Sequence, residues 1–64
     1  MDSIAAFVKS KRKELGLTQQ TLALYTGVST KFIIELESGK PTVRMDKVLD
    51  VLKLFDCGLV VKHL

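Results

Sequence analysis

The sequence predicts an all-α domain of four short helices, followed by one short β-strand. Three observations carry this. Apolar residues recur at three- and four-residue spacing along most of the chain, as they do on one face of a helix. Gly16, Gly27 and Gly39 interrupt the pattern where helices should end. The last apolar run, Leu59-Val60-Val61, is short and β-branched, which suits a strand.

Helix 1 is expected from Ile4 to about Leu15, with Asp2 or Ser3 as its cap and Ile4, Phe7, Val8 and Leu15 as its apolar stripe. Arg12 falls on that same stripe. A charge on an inward face is costly unless it is paired. Glu37 is the best candidate, so an Arg12–Glu37 ion pair should join helix 1 to helix 3. Its role is architectural, with a phosphate contact by Arg12 as a second possibility. Gly16 ends helix 1, Leu17 tucks in, and Thr18 caps helix 2, which runs to about Tyr25.

Residues Gln19 to Ser38 read QQTLALYTGVSTKFIIELES. Two helices that cross at a steep angle pack closely only if the crossing residue is small, and Ala23 is small. The turn that follows needs positive φ, and Gly27 supplies it. Ser29 is placed to cap the next helix. Leu22, Val28, Ile33 and Leu36 would pin the two helices together. Thr26 stands where an aliphatic residue is usual in such an arrangement. Its methyl can pack and its hydroxyl can bond back to the preceding turn. Together these requirements define a helix-turn-helix, which places its second helix in the major groove of double-stranded DNA. That helix is expected from Thr30 to about Glu37.

Ser38-Gly39-Lys40-Pro41 is a turn, after which Thr42 should cap helix 4. Helix 4 should run to about Phe55, with Met45, Val48, Leu49 and Leu52 on the core face. Val51, Leu54 and Phe55 widen that stripe beyond what one small core requires. They are therefore assigned to a dimer surface. Cys57-Gly58 breaks the helix. The strand that follows includes Leu59, Val60, Val61 and Lys62, and no other segment is a convincing partner for it. A lone strand leaves its ladder unpaired. Pairing with the same strand of a second copy about a two-fold axis solves this; the alternative is a frayed tail. Residues 1–57 thus form the DNA-binding domain and residues 58–64 a dimerisation strand.

The chain has 64 residues, enough for one small domain, yet 47% are apolar and the mean hydropathy is +0.23. That surplus also points to surface covered by a second copy. The net charge is +3. All of the excess lies in residues 1–32, where Lys9, Lys11, Arg12, Lys13 and Lys31 oppose Asp2 and Glu14. A phosphate backbone is the natural partner of such a half, although a solvated basic face is the plain alternative. For Lys9 and Lys11 both readings stay open. A single cysteine makes no internal disulfide and fits a reducing cytoplasm. No run approaches membrane-spanning length, and no secretory leader is expected at Met1-Asp2-Ser3. Cys57 and His63 do not make a metal site, and one terminal histidine gives no catalytic triad. No cofactor, metal or enzymatic activity is expected.

Leu17-Thr18-Gln19, Leu22-Ala23, Gly27-Val28-Ser29, Ile33, Leu36-Glu37 and Gly39 resemble the cro/C1-type (XRE-like) helix-turn-helix family over residues 4–55. Gly39 to Lys47, followed by the short strand, is most similar to its HipB-type antitoxin subgroup, whose members dimerise partly through such a strand. The resemblance implies a lambda-repressor-like four-helix domain that binds palindromic operator DNA as a homodimer. It implies that Gln19 contacts a phosphate and braces the recognition helix. Thr30, Lys31 and Glu35 fall at the base-reading positions, and Lys40 and Thr42 near phosphates; Ser29, Ile34 and Arg44 complete the expected interface. An arginine of helix 1 paired with a glutamate ending helix 3 is also similar to family members.

The chemistry of those positions agrees. Lys31 can donate to guanine, Thr30 can meet a base edge or a thymine methyl, and Glu35 can accept from cytosine N4 or repel a misplaced phosphate. Ile34 and Phe32 could touch thymine methyls, or Phe32 could lean back onto helix 2. Gln19→Ala and Lys31→Ala should weaken DNA binding with stability nearly unchanged. The function implied is a bacterial, nucleoid-associated repressor, either the antitoxin and autoregulator partnered with a HipA-like kinase toxin or a free-standing phage- or plasmid-type regulator.

Overall fold

The computed structural model describes residues 2–55. These form four helices: α1 (Asp2–Glu14), α2 (Gln19–Thr26), α3 (Thr30–Glu37) and α4 (Met45–Leu54). There is no strand among the described residues. The Cys57-Gly58 break and the strand at Leu59, Val60, Val61 and Lys62 lie outside them. No helix among the described residues is long and apolar enough to cross a membrane.

The caps of the central pair follow from local chemistry. Thr18 Oγ1 accepts from the Thr21 N–H at 3.0 Å, and Ser29 Oγ accepts from the Phe32 N–H at 3.0 Å. Gly27 ends α2 at φ 77°, and its N–H donates to the Ala23 carbonyl at 2.9 Å. Thr26 donates its hydroxyl to the Leu22 carbonyl at 2.8 Å, so a polar residue is satisfied where an aliphatic one is usual. A methyl added at Gly27 would meet nothing within 4 Å. The cost of Gly27→Ala is therefore conformational, about 1–2 kcal/mol for an L-residue held left-handed. Urea unfolding should show it as a lower midpoint; an unchanged midpoint would mean the turn relaxes freely.

The core gathers Val8, Leu22, Ala23, Val28, Phe32, Ile33, Leu36, Val48, Val51 and Phe55, with Ile4, Leu17, Val43 and Leu52 packed at its edge. Three expectations need correction. First, α1 already includes Asp2 and Ser3, so neither precedes it as a cap, and its buried positions are Ala5 and Val8. Small Ala5 permits close approach, whereas bulky Phe7 is pushed to the rim, where its ring meets that of Phe55 edge-on at 6.3 Å. Leu15, beyond the last helical turn, is exposed, and Leu17 fills its expected place.

Second, Thr42 does not cap α4. It lies in the turn, and Arg44 holds the cap position without a side-chain cap bond. Val43 packs against the core, so the chain must reach past it before a helix can start. Third, the core face of α4 is shifted toward its C-terminal end: Val48 is buried and Leu52 packs at the core's edge as expected, but Met45 is not part of that face. Val48, Val51 and Phe55 are buried, while Met45 is 51% exposed. Val51 and Phe55, assigned to a dimer surface, thus belong to the core of a single chain. Leu54 remains partly exposed and available.

Candidate nucleic-acid interface

The recognition helix α3 is divided cleanly. Phe32, Ile33 and Leu36 are buried. Thr30, Ile34, Lys31 and Glu35 fall within an arc of about 140° on the other side. All four base-reading candidates therefore share one face. Phe32 is packed in the core and also lines the edge of the cleft formed with the chain past α3, and Ile34 keeps 47% of its surface exposed.

Past α3 the chain doubles back. The Gly39 N–H donates to the Leu36 carbonyl at 3.2 Å and the Lys40 N–H to the Glu35 carbonyl at 3.1 Å, with Gly39 at φ 84°. This return carries Lys40, Thr42, Arg44 and Lys47 alongside Ser29, Lys31 and Glu35. Together they line an open cleft of about 310 Å³. Six of the expected contact residues thus meet around one cleft. Lys47 was missed; its signal was a third cation three residues after Arg44.

Two of the cleft's cations are held by acids. Lys40 Nζ lies 3.3 Å from Glu35 Oε2. Arg44 donates from Nε at 3.2 Å and Nη2 at 2.8 Å to Asp46. The hydrogen bond from Arg44 holds the Asp46 carboxyl below its ordinary value. A phosphate arriving here must share or displace these carboxylates.

Gln19 is not among the cleft's lining residues and serves a second cluster. Arg12 donates from Nε to Glu37 Oε2 at 2.7 Å and from Nη2 to Oε1 at 3.0 Å, and from Nη1 to the Leu17 carbonyl at 2.8 Å. The expected ion pair is present, bidentate and largely shielded. The bond to Glu37 raises the Arg12 pKa above its ordinary value. Gln19 Nε2 donates to the same Glu37 at 3.2 Å. The expectation that Gln19→Ala leaves stability unchanged therefore needs correction. Losing a hydrogen bond to a shielded charge should cost about 1.5 kcal/mol. In a domain of this size that lowers Tm by roughly 6–12 °C. A thermal melt reads it directly, and an unchanged Tm would mean that water replaces the amide.

With this geometry in place, comparison with known proteins identifies the class. A family model described as Helix-turn-helix matches residues 8–61. The chain belongs to this XRE-type helix-turn-helix family of DNA-binding domains. It is also similar to the uncharacterized HTH-type transcriptional regulator y4mF of Sinorhizobium fredii, at 46% identity over 56 residues. That match covers 88% of this chain and 74% of the relative.

Proposed function

We propose that the chain is a transcriptional repressor that binds a palindromic operator as a homodimer. The observation that carries this is the single outward face of Thr30, Lys31, Ile34 and Glu35, exposed at Lys31 and Ile34 and partly so at Thr30 and Glu35, flanked by the Lys40, Thr42, Arg44 and Lys47 cleft. Such a face reads base edges while the neighbouring cations hold the phosphate backbone. The relative's name supports a regulatory role. Two recognition helices related by a two-fold axis would enter successive major grooves about 34 Å apart. Enrichment from a randomised duplex library tests this: a dyad-symmetric consensus is expected, and no enrichment would refute it.

The homodimer rests on the apolar surplus of the sequence and on exposed Leu54 and Phe7 near the end of α4. The strand of Leu59, Val60, Val61 and Lys62 would complete it. Deleting residues 58–64 is expected to give a monomer with steeply weaker operator binding. An unaltered dimer mass in sedimentation would place the interface on α4 alone.

A finer reading is that the chain is the HipB-type antitoxin and autoregulator of a toxin-antitoxin operon. The likeness of Gly39 to Lys47 to that subgroup supports it. A pull-down of the tagged chain from its native cells decides: a stoichiometric kinase-like protein establishes this reading, and a clean dimer carrying only DNA leaves a free-standing repressor.

A further inference from the structure

We propose that Glu35 sets DNA selectivity by restraining Lys40: the carboxylate holds that lysine away from phosphates until a base edge that donates a hydrogen bond takes the carboxylate over. The inference rests on the DNA-reading assignment above and goes further, because it assigns an acidic residue a task against the wrong sequence.

The geometry is specific. Glu35 projects from the exposed face of α3, one turn after Lys31, and is half-buried beside the returning chain. Its Oε2 lies 3.3 Å from Lys40 Nζ. The Lys40 backbone is tied to the Glu35 carbonyl, so the two side chains emerge from a fixed turn. Glu35 is thus a carboxylate set among the cations that line this cleft, Lys31, Lys40, Arg44 and Lys47. Against random DNA it repels phosphate oxygens and keeps one cation occupied. Against a cytosine amine in the major groove the carboxylate gains a donor, and Lys40 becomes free for the backbone. Correct sequence therefore gains two contacts together, and incorrect sequence gains neither. Asp46 offers an internal control. It also neutralises a cleft cation, Arg44, but it sits at the start of α4 and not on the reading face.

The test compares the full chain with its Glu35→Gln and Asp46→Asn variants on two probes. One is the duplex pool that the wild-type chain enriches from a randomised library of about 30 base pairs, roughly three helical turns. The other is the unselected library. Affinities are measured across a salt series. Glu35→Gln is expected to bind the unselected library about three- to tenfold more tightly. Its slope of log affinity against log salt should steepen by about 0.9, the mark of one more phosphate contact. Affinity for the enriched pool should fall by about two- to fivefold, because an amide oxygen accepts the base-edge donor less strongly than a carboxylate, so the selectivity ratio falls. Asp46→Asn should tighten both probes alike and keep the ratio. Equal tightening of both probes by Glu35→Gln would reduce Glu35 to a bulk charge and overturn the proposal, as would an unchanged salt slope. Failure of the wild-type chain to enrich any pool would instead remove the DNA-reading assignment itself, and the proposal with it. Urea melts of both variants guard against misfolding, and Glu35→Asp, which keeps the charge, should restore the wild-type ratio in part.

Discussion

Replacing Glu37 by alanine is expected to remove a large share of the chain's stability. Glu37 accepts two bonds from Arg12 and one from Gln19, and its side chain is only 3% exposed. Removing one partner of a shielded pair costs about 3–5 kcal/mol, because the remaining charge keeps its desolvation penalty without compensation. A domain of this length has roughly 3–10 kcal/mol of stability in total. Circular dichroism at 25 °C should therefore show lost helix or a sharply lower urea midpoint. A wild-type melt would mean that water reaches Arg12 and takes over from the carboxylate. The double variant Arg12→Met/Glu37→Leu should regain much of the loss, since an apolar pair carries no charge to desolvate. Recovery should stay incomplete, because the Gln19 amide and the Leu17 carbonyl still lose their partner.

Lys31→Glu is expected to reduce affinity for the enriched duplex by roughly a hundredfold or more. Loss of a donor to a base edge alone is worth about 1–3 kcal/mol. The reversed charge adds repulsion from nearby phosphates and stands one turn before Glu35. Like charges at that spacing on an exposed helix face cost only about 0.2–0.5 kcal/mol of stability. Fluorescence anisotropy and a urea melt on the same protein separate the two effects. Affinity within a few-fold of wild type would take Lys31 off the reading surface and turn the docking face elsewhere.

The positions of the turns and of α3 were legible in the residues because they depend on local chemistry. Gly16 and Gly27 adopt positive φ, and Ser29 and Thr18 cap through their own hydroxyls. The Arg12–Glu37 pair was legible for a different reason: an inward charge demands a partner, and few carboxylates were placed to serve. Helix faces were less legible. Ala5 is buried where Phe7 was expected, because close approach favours the smaller residue, and a size-weighted stripe misses this. The face of α4 depends on how its axis sits against α2, which spacing along one helix does not encode. Lys40's pairing with Glu35 and Arg44's with Asp46 arise from the path of the loop, and only the folded chain shows them.

Helices α2 and α3 have eight residues each. In water, isolated helices shorter than about 12–15 residues are marginal even with good helix formers. A synthetic peptide spanning Ser29 to Ser38 should therefore be mostly coil and a poor ligand for any duplex, despite carrying every side chain proposed to read bases. The information needed to choose a sequence would be present in it, but not the order that lets four side chains arrive together. The rest of the domain supplies that order, so substitutions far from the nucleic acid should degrade recognition by loosening the helix that performs it.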